Sequence, residues 1–293
     1  PFWLKVFFTL CVKASQANRC APRVCESKRM SRPPSSKAGD APFLSQKRQT
    51  IRAEKAQLGD HLDAVERSVA LAHVAECAGR YDEMAEYMKE RVEVGGGLSA
   101  EERDLLSAAY KGALAERRNA LRVAASVAEQ EEVAGRKELA ALAQGYRSKV
   151  EVELMRICQT VVDLLKDKLV PLATEGEPKV FYMKMEADYY RYTAEFASGE
   201  MHKQASYQAH AAYNRASEEA AKSLLITHPV RLGLALNYSV FQHEVMNRTS
   251  AARNTAKAAL EGAIAELHHM PEEAYEDVAH TLTLLQDNLS LWG

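Results

Sequence analysis

Residues 183–196, MKMEADYYRYTAEF, crowd three tyrosines, Tyr189, Tyr190 and Tyr192, around Arg191 in a segment that we predict to be helical. Lys184 lies seven residues before Arg191, which is almost two helical turns, so both cations point to the same side of the helix. Tyr192 adds a phenol next to Arg191. The segment therefore predicts a helix that carries two cations and a phenol on one stripe.

The same helical periodicity extends from about residue 61 to the end of the chain. Apolar residues recur at intervals of three and four, and no alternating run is long enough for a strand. Breaks between the segments predict nine helices with short connections. Because short connections place successive helices antiparallel, the sequence predicts an all-α antiparallel array.

Capping residues, glycines and prolines predict the helix boundaries. Ser99 with Glu102 has the pattern of a capping box, and the glycines at 95–97 end the helix before it. Further boundary signals are Gly176 with Pro178 at the start of the helix that contains residues 183–196, Gly199 at its end, Thr227 as a cap before Pro229, and Pro271 at the start of the last helix.

Charge divides the chain into two regions. Residues 1–60 contain 12 Lys/Arg and 4 Asp/Glu, whereas the remainder contains 26 Lys/Arg and 36 Asp/Glu. We predict a basic, disordered leader or extension at 1–60 and a folded domain at 61–293. Residues 1–17 resemble the apolar run of a secretory signal, but Lys5 and Lys13 lie within or against that run. Because a stretch typical of a protein start begins at Met30, we expect residues 1–29 to be a fragment or a leader that is not normally translated.

Several function classes lack their sequence signals. The acidic balance of the domain argues against nucleic-acid binding, because a phosphate backbone needs a net basic face. No His-Glu-x-x-His, Gly-x-Gly-x-x-Gly or Cys-x-x-Cys pattern occurs, so we expect no enzyme, metal or cofactor. Cys77 and Cys158 lie on helical patterns and are expected to be buried. A reducing, cytoplasmic location and no membrane partner fit this cysteine usage best.

A second segment, AYKGALAERRNALR at 109–122, repeats the cationic spacing with Lys111 and Arg118. Two such stripes on neighbouring helices would repel each other unless an anion lies between them. Arginine offers a planar donor fork that suits phosphate oxygens, and a tyrosine hydroxyl can complete the set. The pattern favours a phosphoserine or phosphothreonine ligand. It leaves open that Arg191 pairs with Asp188 and Glu195, its neighbours at i−3 and i+4.

Two later segments, RLGLALNYSVFQHE at 231–244 and LLQDNLSLW at 284–292, combine amides with apolar residues. An asparagine amide can both donate to and accept from an extended peptide backbone, and leucines can line a wall beside it. A leucine stripe at helical spacing is also the ordinary pattern of a helix packed on a core, and the spacing alone does not decide between them.

Four stretches together resemble the 14-3-3 family: ERDLLSAAYKGALAERRNALRV, KVFYMKMEADYYRYTAEFASGE, THPVRLGLALNYSVF and LLQDNLSLW. The resemblance covers roughly residues 63–293. It implies a nine-helix, antiparallel, cup-shaped domain with the architecture of the tetratricopeptide-like superfamily. It also implies a dimeric adaptor that binds phosphoserine and phosphothreonine peptides of client proteins in signalling.

The resemblance also implies particular site residues. Its phosphate-binding residues are Lys111, Arg118, Arg191 and Tyr192. Its peptide groove comprises Lys184, Leu236, Asn237, Val240, Glu244, Leu284, Asn288, Leu291 and Trp292. The two asparagines hold the peptide main chain, Glu244 is polar, and the leucines, valine and tryptophan form an apolar wall.

The family's dimer contact maps onto AGRYDEM at 78–84 and onto a later helix. Arg80 is expected opposite Glu153 of the partner subunit, and Glu83 opposite Lys149 of the partner subunit. Because rim ion pairs contribute only about 0–1 kcal/mol each, apolar residues must supply most of the association. Those residues are Val74, Ala78 and Tyr146. The partner is a second copy of this chain or a paralogue.

The chain also departs from the family pattern. His280 and Thr281 stand where two aliphatic residues usually line the groove, and Gln286 replaces an arginine. Ala120 replaces a serine that is phosphorylated in some relatives. The alternative function is a phosphorylation-independent helical scaffold of the tetratricopeptide type, but the 34-residue repeat typical of that class is not found in this sequence.

Overall fold

The structure is a computed structural model that describes residues 63–269 and 272–293. These residues form nine long helices and no strand, so the prediction of an all-α fold is confirmed. The predicted leader at 1–60 and Pro271 lie outside the described residues. The helices are α1 Ala64–Cys77, α2 Tyr81–Val94, α3 Ala100–Val133, α4 Lys137–Leu164, α5 Glu177–Phe196, α6 Gly199–Ser223, α7 Pro229–Glu244, α8 Thr249–Glu266 and α9 Glu272–Leu291.

Helices that follow one another along the chain pack together. The main pairs are α2 with α3, α3 with α4, α5 with α6, α7 with α8, and α8 with α9. Helix α4 also packs on α5, while α7 packs on α5, α6 and α9. Helix α4 continues through a π-helical turn at Leu165–Leu169 into Val170–Leu172, where Pro171 lacks the N–H of a regular helix. The array brings α5 and α7 together, and both helices carry predicted site residues.

Small side chains set the spacing between α5 and α6. The buried face of α6 is a row of alanines at intervals of three and four, which lets the backbone of α5 approach closely. Tyr213 on α6 and Phe241 on α7 are fully buried in the same cluster and fill the space that the alanines leave. The row consists of Ala205, Ala209, Ala212, Ala216 and Ala220.

The turn between α2 and α3 is held by a buried ion pair. Ser99 and Glu102 form the predicted capping box, since the Ser99 hydroxyl accepts from the Glu102 N–H and the Glu102 carboxylate accepts from the Ser99 N–H. Arg91 bonds Glu102 with Nε 2.5 Å from Oε1, and it donates to the carbonyls of Gly95 and Gly97 at 3.0 and 2.9 Å. Arg91 therefore satisfies two carbonyl groups of the glycine-rich turn.

Three local predictions were wrong. The cap of α7 is His228, whose Nδ1 accepts from the Val230 N–H at 3.2 Å, because proline forces the residue directly before it into an extended conformation. Helix α5 ends at Phe196, and Gly199 instead begins α6 with a φ of 59°. Cys158 is buried as expected, whereas Cys77, the last residue of α1, is exposed.

Gly112 on α3 provides a test of the packing between α2 and α3. A Cβ atom at this position would lie 2.2 Å from Cγ of Tyr81, the first residue of α2. Replacing Gly112 by alanine should therefore lower the free energy of unfolding by about 1–3 kcal/mol, because the ring must move. Chemical denaturation measures this change.

Gly145 on α4 is the matched control. A Cβ atom there meets none of the described atoms within 4 Å. Gly145→Ala should stabilise the protein by up to about 1 kcal/mol, because alanine favours a helix more than glycine does. Equal effects of the two substitutions would contradict this account of the α2–α3 contact.

Candidate functional site

Two arginines from different helices face the same aromatic ring. The Cζ atoms of Arg118 on α3 and Arg191 on α5 each lie 4.5 Å from the ring centroid of Tyr192. Tyr192 and Arg191 are buried, and Arg118 also lies 5.5 Å from the ring of Phe196. Cation–π attraction to this shared ring holds both guanidinium groups next to Tyr192. This pair of arginines is the centre of the candidate site.

Asp188 is the acceptor on which the neighbouring side chains converge. Its carboxylate accepts from Lys184 at 3.0 Å, from the Tyr213 hydroxyl at 2.5 Å, and from the Asn237 amide at 2.9 Å to each oxygen. Arg191 Nη2 lies 3.5 Å from the same carboxylate, and Arg191 Nε donates to the Tyr213 hydroxyl at 3.0 Å. Asp188 therefore links α5, α6 and α7.

The charge state of Asp188 follows from these partners. Burial alone would raise the pKa of Asp188, but the charges of Lys184 and Arg191 and the hydrogen bond from Tyr213 outweigh it and lower the pKa to about 2. The carboxylate is therefore ionised at neutral pH. Its Oδ1 atom faces Arg191, and both of its oxygens accept from the Asn237 amide.

Arg118 pairs with a different carboxylate. Its Nη2 atom lies 2.5 Å from Oε2 of Glu195 on α5, where the Arg118 side chain is 9% exposed and that of Glu195 37%. The spacing left open that Arg191 pairs with both Asp188 and Glu195. The structure pairs Arg191 with Asp188 and pairs Glu195 with Arg118, which lies 77 residues away along the chain.

The structure brings four of the predicted cationic and phenolic residues into one network. Arg118 and Arg191 each contact Tyr192, and Lys184 joins Arg191 through Asp188. Lys111 is half-buried on α3, seven residues and roughly 10 Å along the helix axis before Arg118.

The apolar residues of the predicted groove differ in exposure. Leu236, Val240 and Leu284 are buried on α7 and α9, whereas Leu291 is 57% exposed. Trp292 is half-buried and stacks on His243, with ring centroids 4.9 Å apart. The first three residues are therefore part of the buried core, whereas Leu291 at the end of α9 is exposed to solvent.

The two asparagines present opposite hydrogen-bonding groups. Asn237 uses its Nδ2 to donate to Asp188, so its Oδ1 is the atom of that amide that can accept from a ligand. Asn288 is buried, and its Nδ2 has no hydrogen-bond partner among the described residues. A buried N–H without an acceptor costs about 1–3 kcal/mol, so the Asn288 amide is a candidate donor to a ligand.

A family model described as "14-3-3 protein" matches residues 71–293. The chain belongs to the 14-3-3 family. It is 46% identical over 227 residues to the 14-3-3 protein homolog of Candida albicans, covering 78% of this chain and 86% of that protein. It is 47% identical to 14-3-3 protein epsilon of Drosophila melanogaster over 78% of this chain and 87% of the relative. Protein BMH2 of Saccharomyces cerevisiae is 47% identical over 78% of this chain and 84% of its own length.

The apolar residues that the resemblance to the 14-3-3 family assigns to a dimer contact lie at the surface. Val74 on α1 and Tyr146 on α4 are 65% and 56% exposed, and Ala78 is exposed as well. Leu139 and Leu142, which sequence reasoning did not single out, expose 48% and 70% of their surface in the first turns of α4. Large apolar side chains without cover are typical of an interaction surface.

Three of the four charged residues of the predicted 14-3-3 contact, Arg80, Glu83 and Glu153, have partners within this chain. Arg80 pairs with Glu83, with Nε 2.7 Å from Oε2, and Glu153 lies 3.6 Å from Nε of Arg117. Lys149 is exposed. Ion pairs between subunits would therefore replace these contacts or add to them. The pairing between subunits stays a prediction.

Two classes of site are missing from the part of the 14-3-3 domain that the structure describes. No group of three or more His, Cys, Asp or Glu residues there could hold a metal ion. None of the described helices has the length and apolarity needed to cross a membrane.

The lowered pKa of Asp188 predicts a pH dependence of stability. An unfolded aspartate titrates near pH 4, so a folded pKa of about 2 adds stability that is complete above pH 4 and is lost as the pH falls towards 2. Asp188 should contribute roughly 2 kcal/mol of the free energy of unfolding over this interval. Denaturation at a series of acidic pH values measures it.

Asp188→Asn serves as the comparison, because the amide does not titrate. The difference in unfolding free energy between wild type and the variant should narrow as the pH falls from about 4 to about 2. A difference that stays constant over this range would show that the carboxylate is not stabilised in the folded state.

Proposed function

We propose that this 14-3-3 protein is an adaptor that binds phosphoserine and phosphothreonine peptides of client proteins. The observation that carries the proposal is the convergence of Arg118 and Arg191 on the ring of Tyr192. Two planar donor forks at one point match the oxygens of a phosphate better than those of a single carboxylate. Each charge-assisted hydrogen bond to the phosphate contributes about 1.5–3 kcal/mol net. Lys111 and the Tyr192 hydroxyl complete the proposed phosphate set.

Preorganisation supports this proposal. Arg191 is held by Asp188 and Tyr213, and its guanidinium group lies against Tyr192, so little side-chain freedom remains to be lost on binding. Fixing donors before the ligand arrives reduces the entropic cost of association. Lys184, whose ammonium group bonds Asp188, adds positive charge next to this site.

The groove residues would hold the peptide on either side of the phosphate. We propose that Asn237 accepts a backbone N–H of the peptide through Oδ1, and that Asn288 donates Nδ2 to a backbone carbonyl. Leu236, Val240 and Leu284 would form the apolar floor, with Leu291 and Trp292 at the rim and Glu244 as a polar neighbour. Because His280 is exposed and Thr281 is half-buried on the same helix as Asn288, this wall should accept polar client residues.

We also propose a dimer, formed with a second copy or with a paralogue. Val74, Ala78 and Tyr146 would supply the apolar contact, and the pairs Arg80 with Glu153 and Glu83 with Lys149 would surround it. Two grooves in one dimer can bind two phosphorylated sites of one client, which raises the effective concentration of the second site. The dimer would thereby regulate clients in signalling.

The remaining features of the proposal follow from the family and from the sequence. We place the domain at residues 61–293, with 1–60 as a basic extension, and we propose a cytoplasmic adaptor without enzymatic activity, cofactor, nucleic-acid partner or membrane partner. The matched family model, which begins at residue 71, supports the larger part of that range.

Phosphate dependence tests the proposed function. A serine peptide with basic residues, measured by calorimetry with and without its phosphate, should bind at least about 100-fold more tightly when phosphorylated, because two or more charge-assisted bonds are gained. Equal affinity of the two peptides would favour the phosphorylation-independent scaffold instead.

Arg118→Ala tests the role of the arginine pair. The variant should lose phosphopeptide binding by a factor of about 100, because one guanidinium fork is removed. Arg117→Ala is the matched control, since Arg117 is the adjacent residue and pairs with Asp82 at 2.6 Å on another face of α3. Circular dichroism should show unchanged helicity in both variants. Normal binding by Arg118→Ala would refute its assignment to the phosphate site.

Tyr146→Asp tests the proposed dimer. A carboxylate at the centre of an apolar contact must lose its hydration, so light scattering should show a shift from dimer towards monomer. Tyr207→Asp on α6 is the control, because Tyr207 is 72% exposed and lies outside the predicted contact. An unchanged mass of the Tyr146 variant, or a shift with both, would argue against this contact.

A further inference from the structure

The two arginines of the candidate site have carboxylate partners that differ in mobility. Asp188 is 5% exposed and is fixed by donors from three helices. Glu195 lies seven residues later on the same side of α5, where its side chain is 37% exposed. Asp188 is therefore part of the packed protein, whereas Glu195 can rotate away into solvent.

Glu195 lies where an anionic ligand would bind. Its Oε2 atom is 2.5 Å from Nη2 of Arg118, the kind of contact that a phosphate oxygen makes with a guanidinium group. Arg118 and Arg191 both contact the ring of Tyr192, and Arg118 bonds Glu195, so a phosphate that bridges the two arginines arrives next to Glu195. The carboxylate must then leave Arg118 or remain close to a second negative group. Its charge opposes the ligand in both cases.

We propose that Glu195 is an internal counter-anion, which occupies the phosphate site of the free protein and is displaced by the phosphate of a client. This inference rests on the proposed function and adds a residue that sets its selectivity. Because Glu195 is part of the chain, its effective concentration at Arg118 is high. An external carboxylate with one negative charge offers Arg118 nothing that Glu195 does not already supply.

A phosphate ester can still displace Glu195. It carries a charge of about −1.5 to −2 at neutral pH and presents three acceptor oxygens. It can therefore bond both Arg118 and Arg191, whereas Glu195 bonds Arg118. Glu195 thereby lowers the affinity of the site for anions, so that acidic side chains of other proteins do not fill it.

Glu195→Gln tests the inference, because it removes the charge and keeps the shape of the side chain. Calorimetry at constant ionic strength should show the phosphopeptide binding about fivefold more tightly than to wild type, the factor expected for removing one partly exposed ion pair. A peptide with glutamate in place of the phosphoserine should gain affinity as well. Thermal unfolding should show that both proteins are folded at the assay temperature.

Glu261→Gln is the matched control. Glu261 is exposed on α8 and lies 3.7 Å from Lys257, so the variant removes the same charge away from the site and should bind like wild type. Unchanged affinity of Glu195→Gln would overturn the inference, as would a gain of the same size in Glu261→Gln. Weaker binding by Glu195→Gln would also overturn it and would show that Glu195 instead positions Arg118.

The failure of this inference can be told apart from failure of the proposed function. If wild type prefers the phosphorylated peptide and Glu195→Gln does not bind it more tightly, only the role of Glu195 is refuted. If wild type binds the phosphorylated and unphosphorylated peptides equally, both the proposed function and this inference are refuted.

Discussion

The buried carboxylate of Asp188 is the interaction on which the arrangement of the site depends. It lies among donors from α5, α6 and α7, and two of these donors, Lys184 and Arg191, are cations. A buried guanidinium group without a counter-charge would cost several kcal/mol. Asp188 allows Arg191 to stay charged inside the protein, and the same contacts join three helices at one point.

Different residues of the site therefore hold Arg191 in place and carry the proposed contacts to a ligand. Asp188 and Tyr213 hold Arg191 by hydrogen bonds, and Arg191 and Arg118 both lie 4.5 Å from the centroid of the Tyr192 ring. The groups that we propose as ligand-binding lie on packed helices and not on loops, which favours a fixed geometry. The exposed Glu195 is the one carboxylate of this network that can exchange with a ligand without unfolding the core.

Local sequence signals predicted much of this fold. The capping box of Ser99 and Glu102 acts within four residues, and the seven-residue spacing of Lys184 and Arg191 is fixed by the helix itself. Resemblance to the family then identified α7 and α9 as the other walls of the groove. The first two signals depend only on residues that are close along the chain. The resemblance depends on motifs that can be compared with those of the family.

The features that could not be predicted depend on distant partners. Tyr213 lies 25 residues after Asp188, and no spacing rule connects the two across helices. To predict whether Glu195 pairs with Arg191 or with Arg118, one must know the position of α3 relative to α5. The exposure of Cys77 was missed because its helical pattern resembles a buried one, and Thr227 was chosen over His228 because threonine is the commoner cap.

The alanine row of α6 has a consequence for how such a protein can vary. Ala209 and Ala212 have almost no exposed surface and lie on the face of α6 that packs against α5. A larger side chain there would displace α5 from α6 and so change the distance between the guanidinium groups of Arg191 and Arg118. Residues that never meet a client thus limit which sequences retain affinity for one, and a comparison of variants restricted to the ligand-facing surface would overlook them.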